Sequence, residues 1–143
     1  MSVGRGLILD ANILIRAVFR TKVRDILERF ANEANFFSPE ACFEEARRYI
    51  PALCKKRGLD ASLALSVLRH VGKLVLPVSH SLYADREADA RGRIENRDPD
   101  DWPVVAVALM FDFPVWTEDK DFFGAGVATW TSSTVEVYLR SKR

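Results

Sequence analysis

Only two cysteines and two histidines occur in the 143 residues, and neither Cys42 nor Cys54 has another Cys or a His at metal-ligand spacing. A disulfide framework and a Cys/His metal site are thereby excluded, and both thiols are expected as reduced core residues. Charge of one sign is lacking too: 21 Lys and Arg against 20 Asp and Glu leave a net +1. Bulk electrostatics therefore cannot by themselves carry binding to nucleic acid. No apolar window approaches the roughly 18 residues of a membrane span. Asp10, Asn12 and Arg16 interrupt the N-terminal apolar run, and no small-residue cleavage site follows it, which speaks against a signal peptide. A cytoplasmic protein with no membrane partner is expected. Repeats, low-complexity tracts and linkers are also missing, so residues 1–143 are expected to form one domain, a length that buries roughly 68% of the unfolded chain's surface.

What the chain does contain is an alternation of short apolar runs and helical spacings. Leu7-Ile-Leu9 is continuous and stops at Asp10, as in a parallel strand buried on both faces. Helical spacing takes over at Ile13 and Ala17, and a second helix over 23–34 places Val23, Ile26, Leu27 and Phe30 inward. NFFS at 35–38 reads as a second strand, with Ser38 as cap and Pro39 as first residue of the next helix. That helix is expected to bury Cys42, Ala46, Tyr49, Ile50 and Leu53, with Pro51 kinking or ending it. Asp60 should cap a further helix, LVLPV at 74–78 is a third strand, and Ser79 or Ser81 opens a charged helix. Asp100 is expected to cap an almost wholly apolar helix over 104–111, with Asp101 in its first turn and Pro103 where no amide hydrogen is needed. PVWT at 114–117 returns as a fourth strand, 128–130 adds an edge strand, and Thr131 or Ser133 caps a last helix. The result is an α/β sandwich with a mainly parallel sheet of four or five strands, in which ligands bind beyond the carboxyl ends of the strands.

Carboxylates gather where that edge should lie. Asp10 ends the first strand, Asp101 starts the apolar helix, Asp119 follows the fourth strand, and Glu45 sits on an otherwise buried stripe beside the more outward Glu44. Each has an ordinary reading as a cap, a dipole partner or an exposed neighbour. Their coincidence at one edge is harder to explain so. Two carboxylates about 4 Å apart repel by about 1 kcal/mol even in water, so a cluster calls for a cation or for raised pKa values. With oxygen ligands only, the fitting guest is Mg²⁺ or Mn²⁺.

In order along the chain, LILDANILI, SPEACFEEARRYI, RDPDDWPVVAVALMF and VWTEDKDF resemble the marks of the PIN-domain nucleases, the superfamily that includes the VapC toxins. Asp10 with Asn12 is similar to its first mark, Asp101 before VVAVAL to its third, and Thr117, Asp119 and Asp121 to its last. The helical Glu of the second mark matches Glu45 better than Glu44, because Ala46 and the Tyr49-Ile50 pair follow at the family's spacing. The resemblance implies a three-layer α/β/α sandwich and a Mg²⁺- or Mn²⁺-dependent endoribonuclease. Asp10, Glu45, Asp101 and Asp119 would hold the metal and do the chemistry, with Asn12, Thr117, Asp121 and Asp98 orienting them. Arg16, Arg20, Arg47 and Arg48, with Lys22, Arg24 and the run Lys55-Lys-Arg57, are candidates for contact with RNA. An antitoxin partner, a homodimer, a non-toxin ribonuclease and a non-catalytic RNA-binding module are left open. An extra helical segment over 60–94 and the ending around Trp130-Thr131 depart from the short toxin pattern. The rival from another class is a phospho-acceptor receiver domain, for which the middle strand LVLPVS lacks the acceptor Asp.

Overall fold

The computed structural model describes residues 5–94, 98–122 and 124–141. Five parallel strands, β1 Arg5–Leu9, β2 Ala34–Pro39, β3 Val75–Val78, β4 Val115–Trp116 and β5 Thr129–Trp130, form one sheet in the order β3-β2-β1-β4-β5. Helices cover both faces. On one side α1 Ala11–Phe19, α2 Thr21–Arg29, α3 Glu40–Arg57 and α4 Ala61–Leu74 pack on one another; on the other, α5 His80–Tyr83, α6 Glu87–Arg93 and α7 Trp102–Phe111 do so. The strand order matters for function. A receiver domain has the flavodoxin-like order 2-1-3-4-5, so this topology removes that rival. The chain winds outward from β1 to β3 and then crosses back to β4, which makes the β1/β4 junction the switch point beyond which ligands bind in such sheets.

Local chemistry accounts for most of the elements. Leu7, Ile8 and Leu9 are wholly buried, as a central parallel strand requires. Asp60 caps α4 by accepting from the amides of Ser62 at 2.9 Å and Leu63 at 3.3 Å. Gly58 ends α3 in the left-handed conformation, φ 65°, which costs glycine no side-chain clash. Cys42 and Cys54 are buried free thiols, as expected. The helix α8, Val135–Arg140, closes the sheet through Tyr138, whose hydroxyl donates to the Gly6 carbonyl at 2.9 Å. Among the described residues no helix is long and apolar enough to cross a membrane.

Several local expectations are corrected. Ser38 is not a helix cap: β2 runs on through Pro39, and the buried Ser38 hydroxyl donates to the Leu9 carbonyl at 2.7 Å, tying the ends of β1 and β2 together. Pro51 does not end α3, since the helix continues to Arg57. Tyr49 is not core but 56% exposed, because the buried stripe Cys42-Ala46-Ile50-Cys54 advances in steps of four and leaves residue 49 on its rim. The segment after β3 breaks into α5, a 3₁₀ turn at Ala84–Arg86 and α6, with Tyr83 and Ala90 buried. Thr134, rather than Thr131 or Ser133, stands at the start of α8.

Candidate functional site

Register places the first two members of the site. β1 and β4 pair with Leu9 opposite Trp116, so the next residues on each strand, Asp10 and Thr117, meet beyond the sheet. The Thr117 hydroxyl donates to Asp10 Oδ2, while Asp10 Oδ1 accepts from the Ile13 amide at 3.0 Å and thereby caps α1. Thr117 serves a second partner: its Oγ1 accepts from the Asp119 amide at 2.8 Å, which fixes the turn after β4 and with it the position of Asp119. Thr117 is 1% exposed. Thr117→Val should therefore cost about 1–3 kcal/mol, the penalty of leaving buried polar partners unsatisfied, measurable as a lower midpoint in urea unfolding.

The third carboxylate arrives on a different scaffold. Asp98 accepts from the Asp100 amide at 3.0 Å and so caps a 3₁₀ turn, Pro99–Asp101, that leads into α7. Asp100 is therefore not the cap of the apolar helix; Asp101 itself stands at that start, with Pro103 in the first turn. Seven consecutive buried residues, Trp102 to Ala108, anchor α7 and hold Asp101 in place. Its side chain makes no capping hydrogen bond, and Oδ2 is enclosed without a hydrogen-bond partner. Leaving a buried carboxylate oxygen unpaired is costly, and structures rarely tolerate it without a functional reason.

The fourth, Glu45, is half-buried on α3 beside a cavity of about 400 Å³ that it shares with Asn12, Ile15, Tyr49 and Leu53. Glu44 is exposed. The charges of the group act on one another. Burial raises Asp10 from 3.8 to about 6, against the Thr117 and Ile13 hydrogen bonds and with the help of Asp119 and Glu45. Burial, then Asp98, Asp119, Asp10 and Glu45, push Asp101 to about 8. Glu45 is also raised, first by burial, with Arg48 opposing and Asp98 and Asp100 adding. Cys42 lies close enough that its thiol is pushed up by burial and by the charges of Asp10, Glu45 and Asp101. Among the described residues, no three acidic, His or Cys side chains stand close enough together to hold a metal ion as they are placed here.

The predicted supporting residues divide. Thr117 and Asp98 take the orienting positions just described. Asn12 is exposed, lining the cavity beside Glu45 and a second cleft with Arg16 and Arg20. The side chain of Asp121 lies outside the described residues. Arg48 stands near Glu45, whereas Arg47, two positions along and so on another face of α3, lines a separate cleft with Phe43, Leu68 and Arg69. Arg24 spends its guanidinium on the carbonyls of Ala17 and Val18, at 2.8 and 2.9 Å, closing the end of α1. Two placements escaped the sequence: Ser38, concealed by its cap-like Ser-Pro pattern, and Tyr49, concealed by its helical spacing from the buried Cys42 and Ala46.

The sequence model of the PIN domain matches residues 8–140, a span that begins two residues before Asp10 and takes in Glu45, Asp101 and Asp119. The chain belongs to the PIN-domain family. Solved structures agree in fold. VapBC2 from Rickettsia felis, bound to a DNA fragment from its promoter, superposes with a TM-score of 0.68 at 12% identity, covering 88% of this chain and 98% of that one. FitAcB from Neisseria gonorrhoeae gives 0.61 at 19% identity over 89% and 98%. A toxin–antitoxin complex from Klebsiella pneumoniae gives 0.60 at 17% over 88% and 97%. No curated protein sequence matches the chain. PIN domains are nucleases, so this fold is one that acts on nucleic acid, and its five-stranded parallel sheet with helices on both faces is the α/β/α sandwich that the resemblance implied.

Proposed function

We propose that this PIN-domain protein is a Mg²⁺- or Mn²⁺-dependent endoribonuclease that hydrolyses phosphodiester bonds at the carboxylate cluster beyond β1 and β4. The observation that carries the reading is Asp101 Oδ2, enclosed and unpartnered in a site where Asp10, Glu45 and Asp119 also concentrate negative charge. An all-oxygen donor set of this kind fits a hard divalent cation. Asp10, Glu45, Asp101 and Asp119 would hold it. Bound there, such an ion supplies an activated water and neutralises charge developing on the phosphate.

The chain's own residues prepare the rest. Thr117 ties the Asp10 carboxylate to the main chain of Asp119 through one hydroxyl, so the two residues share a common frame. Asp98 fixes the turn that presents Asp101. Arg16 and Arg20 line the neighbouring cleft, where they offset the repulsion that an acidic pocket exerts on RNA. The toxin–antitoxin complex among the structural neighbours supports an antitoxin as the protein partner. Purified protein should cleave labelled RNA when Mg²⁺ or Mn²⁺ is supplied and stop when EDTA is added. Absence of cleavage across a varied RNA pool with either metal would overturn the assignment.

A further inference from the structure

Tyr49 is the one aromatic ring among the exposed large hydrophobic side chains of the described residues, at 56% exposure. It stands one helical turn past Glu45 on α3, and both line the cavity of about 400 Å³ with Asn12, Ile15 and Leu53. A solvated ring there adds little to the core, and cavities of roughly 300–1,000 Å³ are the usual size for bound small groups. Asn12, Ile15 and Leu53 also border the next cleft, which continues past Phe19 to Arg16, Arg20 and Arg57. That cleft adjoins a cavity of about 540 Å³ lined by Arg16, Arg20 and Lys22 together with Thr21 and Ser132. One groove between α1 and α3 thus has a ring beside a carboxylate at one end and four cations at the other. None of the four forms a salt bridge among the described residues. The one acid at the cationic end, Glu118, is engaged by the Ser132 amide.

We propose that Tyr49 is a base-stacking residue: its ring receives one unpaired base flanking the scissile phosphate, and the backbone beyond that base runs along the groove to Arg16, Arg20, Lys22 and Arg57. Stacking on an exposed aromatic with cations tracking the backbone is the general physics of single-strand binding, and a paired base cannot offer its face to the ring. The position of the cut rests on the nuclease reading; the stacking does not. Tyr49 would then select the nucleotide beside the cut by how well its base stacks.

The test is binding without turnover. A labelled single-stranded oligoribonucleotide is titrated in EDTA with wild type, Tyr49→Ala and Tyr49→Phe, followed by anisotropy, and the same strand annealed to its complement serves as the duplex arm. Tyr49→Ala should weaken single-strand binding about tenfold, the scale of one lost base–aromatic stack. Tyr49→Phe should stay within about twofold of wild type, and the duplex should not distinguish the three proteins. An abasic residue moved along the strand should reproduce the loss in wild type at one position and add nothing to Tyr49→Ala there. Equal single-strand affinity of Tyr49→Ala and wild type would overturn the proposal. Failure of Tyr49→Phe to rescue, or of wild type to bind the strand at all, would also overturn it. Stacking without any metal-dependent cleavage would leave Tyr49 in this role and refute the nuclease reading alone.

Discussion

Asp10→Asn is expected to lower metal-dependent RNA cleavage at least about a hundredfold while leaving the protein folded, with a metal-free stability that falls less steeply than that of wild type as pH rises to about 6. The two halves of this expectation have different physical origins. Loss of a group that only orients a metal ligand already costs about 10–100-fold, so loss of a ligand charge should cost more. The pH profile of stability changes because burial opposes the charged form of Asp10, which is raised to about 6. Above that pH the folded protein carries an unfavourable buried charge, and a neutral amide of the same shape removes it. The amide oxygen can still accept from Ile13, so the cap on α1 survives, but the new NH₂ cannot accept from the Thr117 hydroxyl as Oδ2 does, and that loss offsets the gain. Cleavage rates at saturating Mg²⁺, measured beside thermal melts, read both halves. Asp98→Asn is the matched control, since Asn can also accept the Asp100 amide that Asp98 now holds. Activity of Asp10→Asn within a few-fold of wild type would remove Asp10 from the chemistry.

Divalent metal should raise the melting temperature by about 5–10 °C at a concentration near 100 times its dissociation constant. Binding to the folded state alone then adds about 2.7 kcal/mol, and roughly 2–4 °C accompanies each kcal/mol in a domain of this size. The pH dependence supplies a sharper signature. Asp10 and Asp101 both titrate higher in the folded protein, at about 6 and about 8, than at their ordinary 3.8. The folded state therefore binds more protons than the unfolded state between about pH 4 and 8, and metal-free stability falls as pH rises through that window. Asp10 accounts for the fall up to about pH 6 and Asp101 for the part that extends to about pH 8. Metal competes with those protons, so its stabilising effect should grow over the same range. Asp101→Asn should flatten the metal-free profile above about pH 6 and erase most of the metal-induced shift. If Asp101→Asn keeps the shift and Asp98→Asn loses it, the 3₁₀ turn presents the other acid to the ion.

Much of the site was legible because strand ends are legible. An apolar run that stops at an acid placed Asp10, and the short return of Val115-Trp116 placed Asp119 by the same logic. What joins them is the pairing of Leu9 with Trp116, a long-range register that no local pattern contains. The double service of the Thr117 hydroxyl follows only from that register. The turn before α7 escaped for another reason. Asp98, Asp100 and Asp101 offer equivalent capping chemistry, and only the folded turn decides that Asp98 accepts the Asp100 amide while Asp101 makes no capping bond. Tyr49 was misplaced because helical spacing defines a stripe but not its edges; the neighbours α1 and α4 decide which flank of α3 is covered. Ser38 shows a local cap signal overridden by tertiary context, as the Leu9 carbonyl claims its hydroxyl.

On the reading proposed above, Asp10, Glu45, Asp101 and Asp119 together hold a divalent cation. Titration with Mn²⁺ followed by electron paramagnetic resonance tests it without reference to any substrate, comparing wild type with Asp101→Asn and Asp98→Asn at about pH 8. Saturable Mn²⁺ binding by wild type and Asp98→Asn, weakened at least about tenfold in Asp101→Asn, is the predicted result. Equal Mn²⁺ affinity in all three proteins, or no saturable binding by wild type, would contradict it.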